Sequence, residues 1–179
     1  MKTYHFPFTA ILGQERMKLA LILNEKKKKI GGVLLTGHQG TGKSTAVRAL
    51  VDILPQITTY EGCQFNCKID NSEERCEFCQ TDAHNIIKKK IPLVTLPLGA
   101  TQEMVVGSLD LEKIIREGKR AIQPGLLAKV HRGILYIDEI NLLQDHLVDV
   151  LLDVSASGLN IIEREGISLS HLSQFVLVG

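Results

Sequence analysis

GVLLTGHQGTGKST, residues 32–45, is the stretch that decides the fold. Its opening GVLLT is an uninterrupted apolar run, as expected of a strand buried on both faces of a sheet. Residues 42–54 then read as a helix. Between the two, Gly37-His38-Gln39-Gly40-Thr41-Gly42-Lys43-Ser44 matches the Walker A pattern at every fixed position, in the strand, loop and helix setting that the pattern requires. The residue types follow from the chemistry. A triphosphate has to be held with no bulky side chain in the way, so glycines let the backbone turn its N–H groups inward, and a helix starting near Gly42 adds its positive dipole end. In this pattern Lys43 meets the β- and γ-phosphates and the Ser44 hydroxyl ligates Mg²⁺, and Thr45, next in the chain, is a further candidate for nucleotide binding. A glycine-rich turn that merely fits is the competing reading, and the flanking strand and helix weigh against it.

Further along the chain, strands alternate with helices, the pattern of a parallel sheet covered on both faces. Strands are expected at residues 92–96, 134–137 and 175–178. A helix is expected over 145–155, where Leu147, Val148, Val150, Leu151, Leu152 and Val154 make a broad apolar face and Gly158 supplies the stop. The third strand, ILYI, runs straight into Asp138-Glu139. Two carboxylates at a strand end are usually a solvated turn, but the partnership with Walker A at the same sheet edge makes this a Walker B arrangement. Asp138 then holds Mg²⁺ through its water shell, and Glu139 polarises the attacking water. A module that only binds nucleotide has no need of that glutamate.

Composition limits the other possibilities. The 179 residues are 44% hydrophobic and 23% charged, which suits one α/β domain. Aromatics make up only 4% and Trp is missing, so the core has to be aliphatic. A formal net charge of +1 gives no general field for nucleic acid or anionic lipid. The lysine runs at 26–29 and 88–90 lack aromatic neighbours to stack bases and read as solvated helix ends. No apolar stretch reaches membrane-spanning length, and MKTYHFPF lacks a signal peptide's apolar core, so a cytoplasmic protein with reduced thiols is expected.

Residues 60–90 stand apart as a polar insertion that holds all four cysteines. Cys63 and Cys67 have three residues between them, Cys76 and Cys79 two, and eight separate the pairs. Both close spacings suit structural zinc. An iron–sulfur cluster and four free thiols in a loop remain open alternatives. His84 is available as a substitute ligand, although a surface histidine is the commoner case. His131 and Arg132, just before the third strand, are expected to be exposed or to face a neighbouring subunit.

Three further segments carry a resemblance to a family. FPFTAILGQE at 6–15, LPLGATQEMVVGSLDLEKII at 96–115 and PGLLAKVHRGILYIDEINLLQDHLVDVLLDVSASGLNIIEREGISLSH at 124–171 resemble the I subunit of magnesium chelatase, an AAA+ ATPase. The likeness runs from Phe6 to Gly179, with the cysteine segment as its weakest part. It implies an α/β P-loop NTPase whose parallel sheet is flanked by helices, with a helix-two insertion at 96–115 and a pre-sensor hairpin at 160–170. From the residues alone, 160–168 alternates poorly, with Gly166 at a plausible turn. The resemblance puts Ile11 and Leu12 against the adenine base. It also implies hexameric rings that use ATP, with a von Willebrand-type D subunit and a large H subunit, to drive magnesium or cobalt insertion into a tetrapyrrole. On this pattern residues 1–179 form the AAA+ core and stop before the sensor-one residue, the arginine finger, the sensor-two arginine and the lid. An arginine finger is worth about 10³ to 10⁵ in rate, so this piece alone is expected to be a poor ATPase. The contrasting class is an AAA+ remodelling factor or a non-catalytic nucleotide-binding regulatory module.

Overall fold

The computed structural model describes residues 6–26, 31–38, 40–70, 75–80, 84–118, 121–164 and 166–179. Gln39 of the phosphate loop and Lys27, Lys28 and Lys29 lie outside the described residues. At the centre is a parallel sheet of β3 (Leu93–Leu96), β6 (Ile134–Ile137) and β9 (Val176–Val178), with β6 in the middle. All four residues of β6 are buried. Strand alternation sends Ile134 and Tyr136 into one apolar cluster and Leu135 and Ile137 into another, on the opposite face. Such two-sided burial is why ILYI is continuously apolar.

On the first face lie α1 (Glu15–Lys26) and α2 (Lys43–Ile53), contributing Leu21, Ala46, Val47 and Leu50. Buried Asn24 of α1 donates to Leu177 O at 3.2 Å and so fixes that helix to β9. The second face is covered by α6 (Asp145–Ser157), which buries Leu147, Leu151 and Val154. That stripe is narrower than the sequence suggests, because Leu152 is exposed. Gly158 ends α6 in the left-handed region at φ 72°.

The expected strand at 32–36 is only partly realised. It runs parallel to β9, with a single bridge at Val33 to Val178 and bonds from Val33 N to Leu177 O (2.9 Å) and Leu35 N to Gly179 O (2.7 Å). It is not buried on both sides. Leu34 is 64% exposed, because nothing among the described residues covers its outer side.

The insertion is bracketed by two strands that the sequence pattern does not reveal. β1 (Ile57–Tyr60) pairs antiparallel with β2 (Ile86–Lys89), apart from the central sheet. The helix-two insertion takes the expected place. α3 (Gln102–Val106) is capped by the Thr101 hydroxyl, which accepts from Met104 N. β4 (Gly107–Leu109) then pairs with β5 (Ile122–Pro124), with α4 (Leu111–Glu117) between them, and α5 (Leu126–Lys129) resumes toward β6. Gly107 and Gly125 let these backbones meet. A Cβ on Gly125 would sit 2.4 Å from Gly107 N, a contact no side chain allows. The hairpin implied by the resemblance is present as β7 (Leu159–Arg164) and β8 (Ile167–Leu172), with Gly166 at φ 74° in the turn.

Candidate nucleotide site

The ends of β6 and of the 32–36 segment open into one cleft of about 660 Å³. Its walls include Gly37, Gly40, Thr41, Gly42, Lys43, Ser44 and Thr45 on one side and Asp138, Glu139 and Asn141 on the other. Gly37, Gly40 and Gly42 take φ of 155°, 83° and 80°, a backbone that L side chains rarely adopt. Gly42 is the N-cap of α2, so the phosphate loop feeds directly into a helix N-terminus. Lys43 Nζ donates to Gly37 O at 2.6 Å and His38 O at 3.1 Å, and Thr41 Oγ1 donates to His38 O at 2.9 Å. The lysine is thus positioned over the concave side of its own loop. Left-handed glycines, a helix N-terminus and a lysine fit a triphosphate, while the Ser44 hydroxyl and the Asp138 carboxylate are the hard oxygen donors that suit Mg²⁺.

Walker B is held by a residue that sequence reasoning missed. The Tyr136 hydroxyl donates to Asp138 Oδ1 at 3.1 Å. Burial, then the bond to Asp138 and its charge, push Tyr136 up to about 12. Glu139 has φ 54°, and a left-handed glutamate costs about 1 kcal/mol or more, a strain typical of functional turns.

Gln14 is a second missed residue. Its Nε2 donates to Thr41 O at 2.6 Å and ties the chain's opening segment to the phosphate loop. Nothing in the sequence marks that residue beyond its place in FPFTAILGQE. Ile11 packs against the core on the α1 and α2 side, and Lys18 Nζ donates to Ile11 O at 3.1 Å. Leu12 is 91% exposed. Neither residue is among those lining the cleft.

The four cysteines do converge. Their Sγ atoms all lie within 4.8 Å of one another, with Cys63, Cys67 and Cys79 buried. Sulfurs so close cannot all ionise unaided. Thiol hydrogen bonds from Cys67 and Cys76 pull Cys63 down, the bond to Cys63 pushes Cys76 up to about 12, and burial does the same for Cys79. His84 is not part of the group; it stacks on Phe78 with ring centroids 4.0 Å apart. The expectation of exposed His131 and Arg132 is overturned. His131 is buried and its Nδ1 accepts from Gln174 N at 3.0 Å. Arg132, half-buried at φ 65°, donates to Thr58 O (2.9 Å) and Asn66 O (3.2 Å), because the insertion folds back over this loop. Burial lowers the Arg132 pKa, with Cys67 and Asp70 acting in the opposite sense.

A parallel sheet with Walker A and Walker B converging at one edge defines a P-loop NTPase of the AAA+ class. The family model described as "Magnesium chelatase, subunit ChlI" matches residues 7–179. The ChlI homolog of Methanocaldococcus jannaschii is 56% identical over 180 residues, 98% of this chain and 49% of that protein. ChlI of Chlorella vulgaris is 57% identical over 97% of this chain and 51% of its own length. Among solved structures, a cryo-EM-based model of the complex between the BchI and BchD subunits of magnesium chelatase matches at 53% identity and a TM-score of 0.86, covering 97% of this chain and 54% of that one. The chain belongs to the magnesium chelatase subunit ChlI family. It spans about half the length of the curated relatives it matches.

Proposed function

We propose that this chain is the nucleotide-binding core of an ATP-hydrolysing motor subunit that drives metal insertion, magnesium or cobalt, into a tetrapyrrole. The observation that carries this reading is the single cleft that gathers Lys43, Ser44, Asp138 and Glu139 from two motifs about ninety residues apart in sequence. Lys43 neutralises charge on the β- and γ-phosphates, and the loop's N–H groups fix their position. Ser44 and Asp138 would hold Mg²⁺, whose chemistry is to screen the phosphate oxygens as charge builds on them. Glu139 orients and polarises the water that attacks the γ-phosphorus. Tyr136 holds the Asp138 carboxylate in place throughout. The family likeness assigns Ile11 and Leu12 to the adenine side; both stand outside the described cleft, in the opening segment that Gln14 ties to Thr41.

In its family setting the subunit works as a hexameric ring, with a von Willebrand-type D subunit and a large H subunit that carries out the insertion. The BchI and BchD complex of the matching structure supports the D partner. We assign the protein to the cytoplasm; among the described residues no helix is long and apolar enough to cross a membrane. The four thiols are not among the residues that line the cleft. Glu139→Gln in the full-length protein tests the reading. ATP binding is expected to persist while turnover falls about 10²- to 10⁴-fold, the usual worth of a positioned base. Turnover at the unaltered rate would remove Glu139 from the chemistry and the motor assignment with it.

A further inference from the structure

We propose that Cys63, Cys67, Cys76 and Cys79 form a structural zinc site that pins the insertion to the foot of the strand carrying Asp138 and Glu139. Zinc–sulfur bonds of about 2.3 Å at tetrahedral angles place neighbouring sulfurs about 3.8 Å apart. Here Cys63 Sγ and Cys76 Sγ are 3.8 Å apart, Cys76 Sγ and Cys79 Sγ 3.6 Å, and no pair exceeds 4.8 Å. These separations fit four ligands around one ion. They are far beyond a disulfide's length of about 2.05 Å. With all four inside 4.8 Å, they are also too close for a cluster of several irons, in which thiolates on different irons stand farther apart.

The surroundings are those of a metal knuckle. Cys76 N donates to Cys67 Sγ at 3.3 Å, a backbone bond that steadies a ligating thiolate. A zinc tetrathiolate carries two negative charges, and two arginines make contacts within the same insertion. Arg75, next in chain to Cys76, lies over the Tyr60 ring at 5.4 Å and keeps a buried Nε without a hydrogen-bond partner. Arg132 donates to Asn66 O, one residue before Cys67. Among the described residues the apolar cluster around the thiols is small, made of Tyr60, Phe65 and Ile69. So few side chains give little hydrophobic reason to gather four cysteines, and a metal supplies the missing stabilisation.

The same residues fasten the knuckle to the motor. Asn66 Nδ2 donates to Lys129 O at 2.8 Å and His131 O at 3.2 Å, in the loop that leads into β6. Thr59 Oγ1 of β1 donates to Cys67 O at 3.0 Å. Phe65 meets His171 of β8 edge-on, with centroids 5.1 Å apart. An ion at the cysteines therefore orders a joint among β1, the loop before β6 and the pre-sensor hairpin.

Metal analysis of the full-length protein, purified under reducing conditions without chelators, is the direct test. About one zinc per chain is expected, and Cys76→Ser/Cys79→Ser should lose it. Should that variant fail to fold, Co²⁺ titrated into chelator-stripped wild-type protein gives the same answer, as one equivalent with tetrahedral thiolate-to-cobalt bands. Stripping is expected to speed amide exchange at 57–60 and 129–132 while ATP binding persists. Iron with acid-labile sulfide, or neither native metal nor cobalt uptake, would overturn the site. Metal binding that leaves exchange at 129–132 unchanged would overturn the pinning.

Discussion

The phosphate cleft and the cysteine knuckle are built on opposite principles. The phosphate-loop side of the cleft is made of backbone: three glycines, a helix N-terminus and a lysine bonded to its own loop, all within eight consecutive residues and open to solvent. The knuckle is made of largely buried side chains drawn from two turns and bonded to a third segment some sixty residues away. A site formed by contiguous backbone can be read directly from its motif. One formed by converging side chains shows only its spacing, and the fold that brings the pieces together has to be seen. The two differ in what damage should do: the cleft should lose affinity without losing stability, and the knuckle the reverse.

Arg132→Ala is the strongest way to break this contrast. It removes two charged hydrogen bonds, to Thr58 O and Asn66 O, and leaves both carbonyls without that donor. A loss of about 3 kcal/mol in urea unfolding is expected, with Mg²⁺-ATP affinity unchanged. An equal fall in affinity would show that the two regions are one cooperative unit.

Tyr136→Phe sharpens the contrast from the cleft side, with a smaller effect. Asp138 loses one donor worth about 1 kcal/mol, so Mg²⁺-ATP affinity should weaken about fivefold in calorimetry. The tyrosine also gives a pH signature. Its folded pKa is raised from 10.0 to about 12, so its neutral form favours the folded state. That contribution is complete below pH 10 and is lost as pH rises toward 12. Unfolding midpoints of Tyr136→Phe across this window should fall less than those of the wild type; equal slopes would place the shift elsewhere.

The central sheet was largely legible because burial on both faces leaves an unbroken apolar run: ILYI is β6 to the residue. The 32–36 run misled by the same logic. It is apolar enough for a central strand, yet Leu34 has nothing described over its outer side. β1 and β2 were not legible because ITTY and IIKK are four residues each and pair across the whole insertion. Arg132 and His131 looked like surface residues for a related reason: their burial depends on Asn66 and Gln174, far off in the chain. Gln14 and Tyr136 act by single hydrogen bonds that leave no pattern in a sequence. The hairpin at 159–172 was weak by alternation, since only Asn160 and Ile162 of β7 are buried. Its place came through the family likeness.

The most direct test of the nucleotide site is calorimetric titration of ATP with Mg²⁺ into the wild-type chain and into Lys43→Ala. Lys43 lies over the loop that would hold the phosphates, and a charged hydrogen bond is worth about 1.5 to 3 kcal/mol. Affinity should fall about 10- to 100-fold with the unfolding midpoint unchanged. Equal affinity in the two proteins would contradict the assignment of this cleft to the triphosphate.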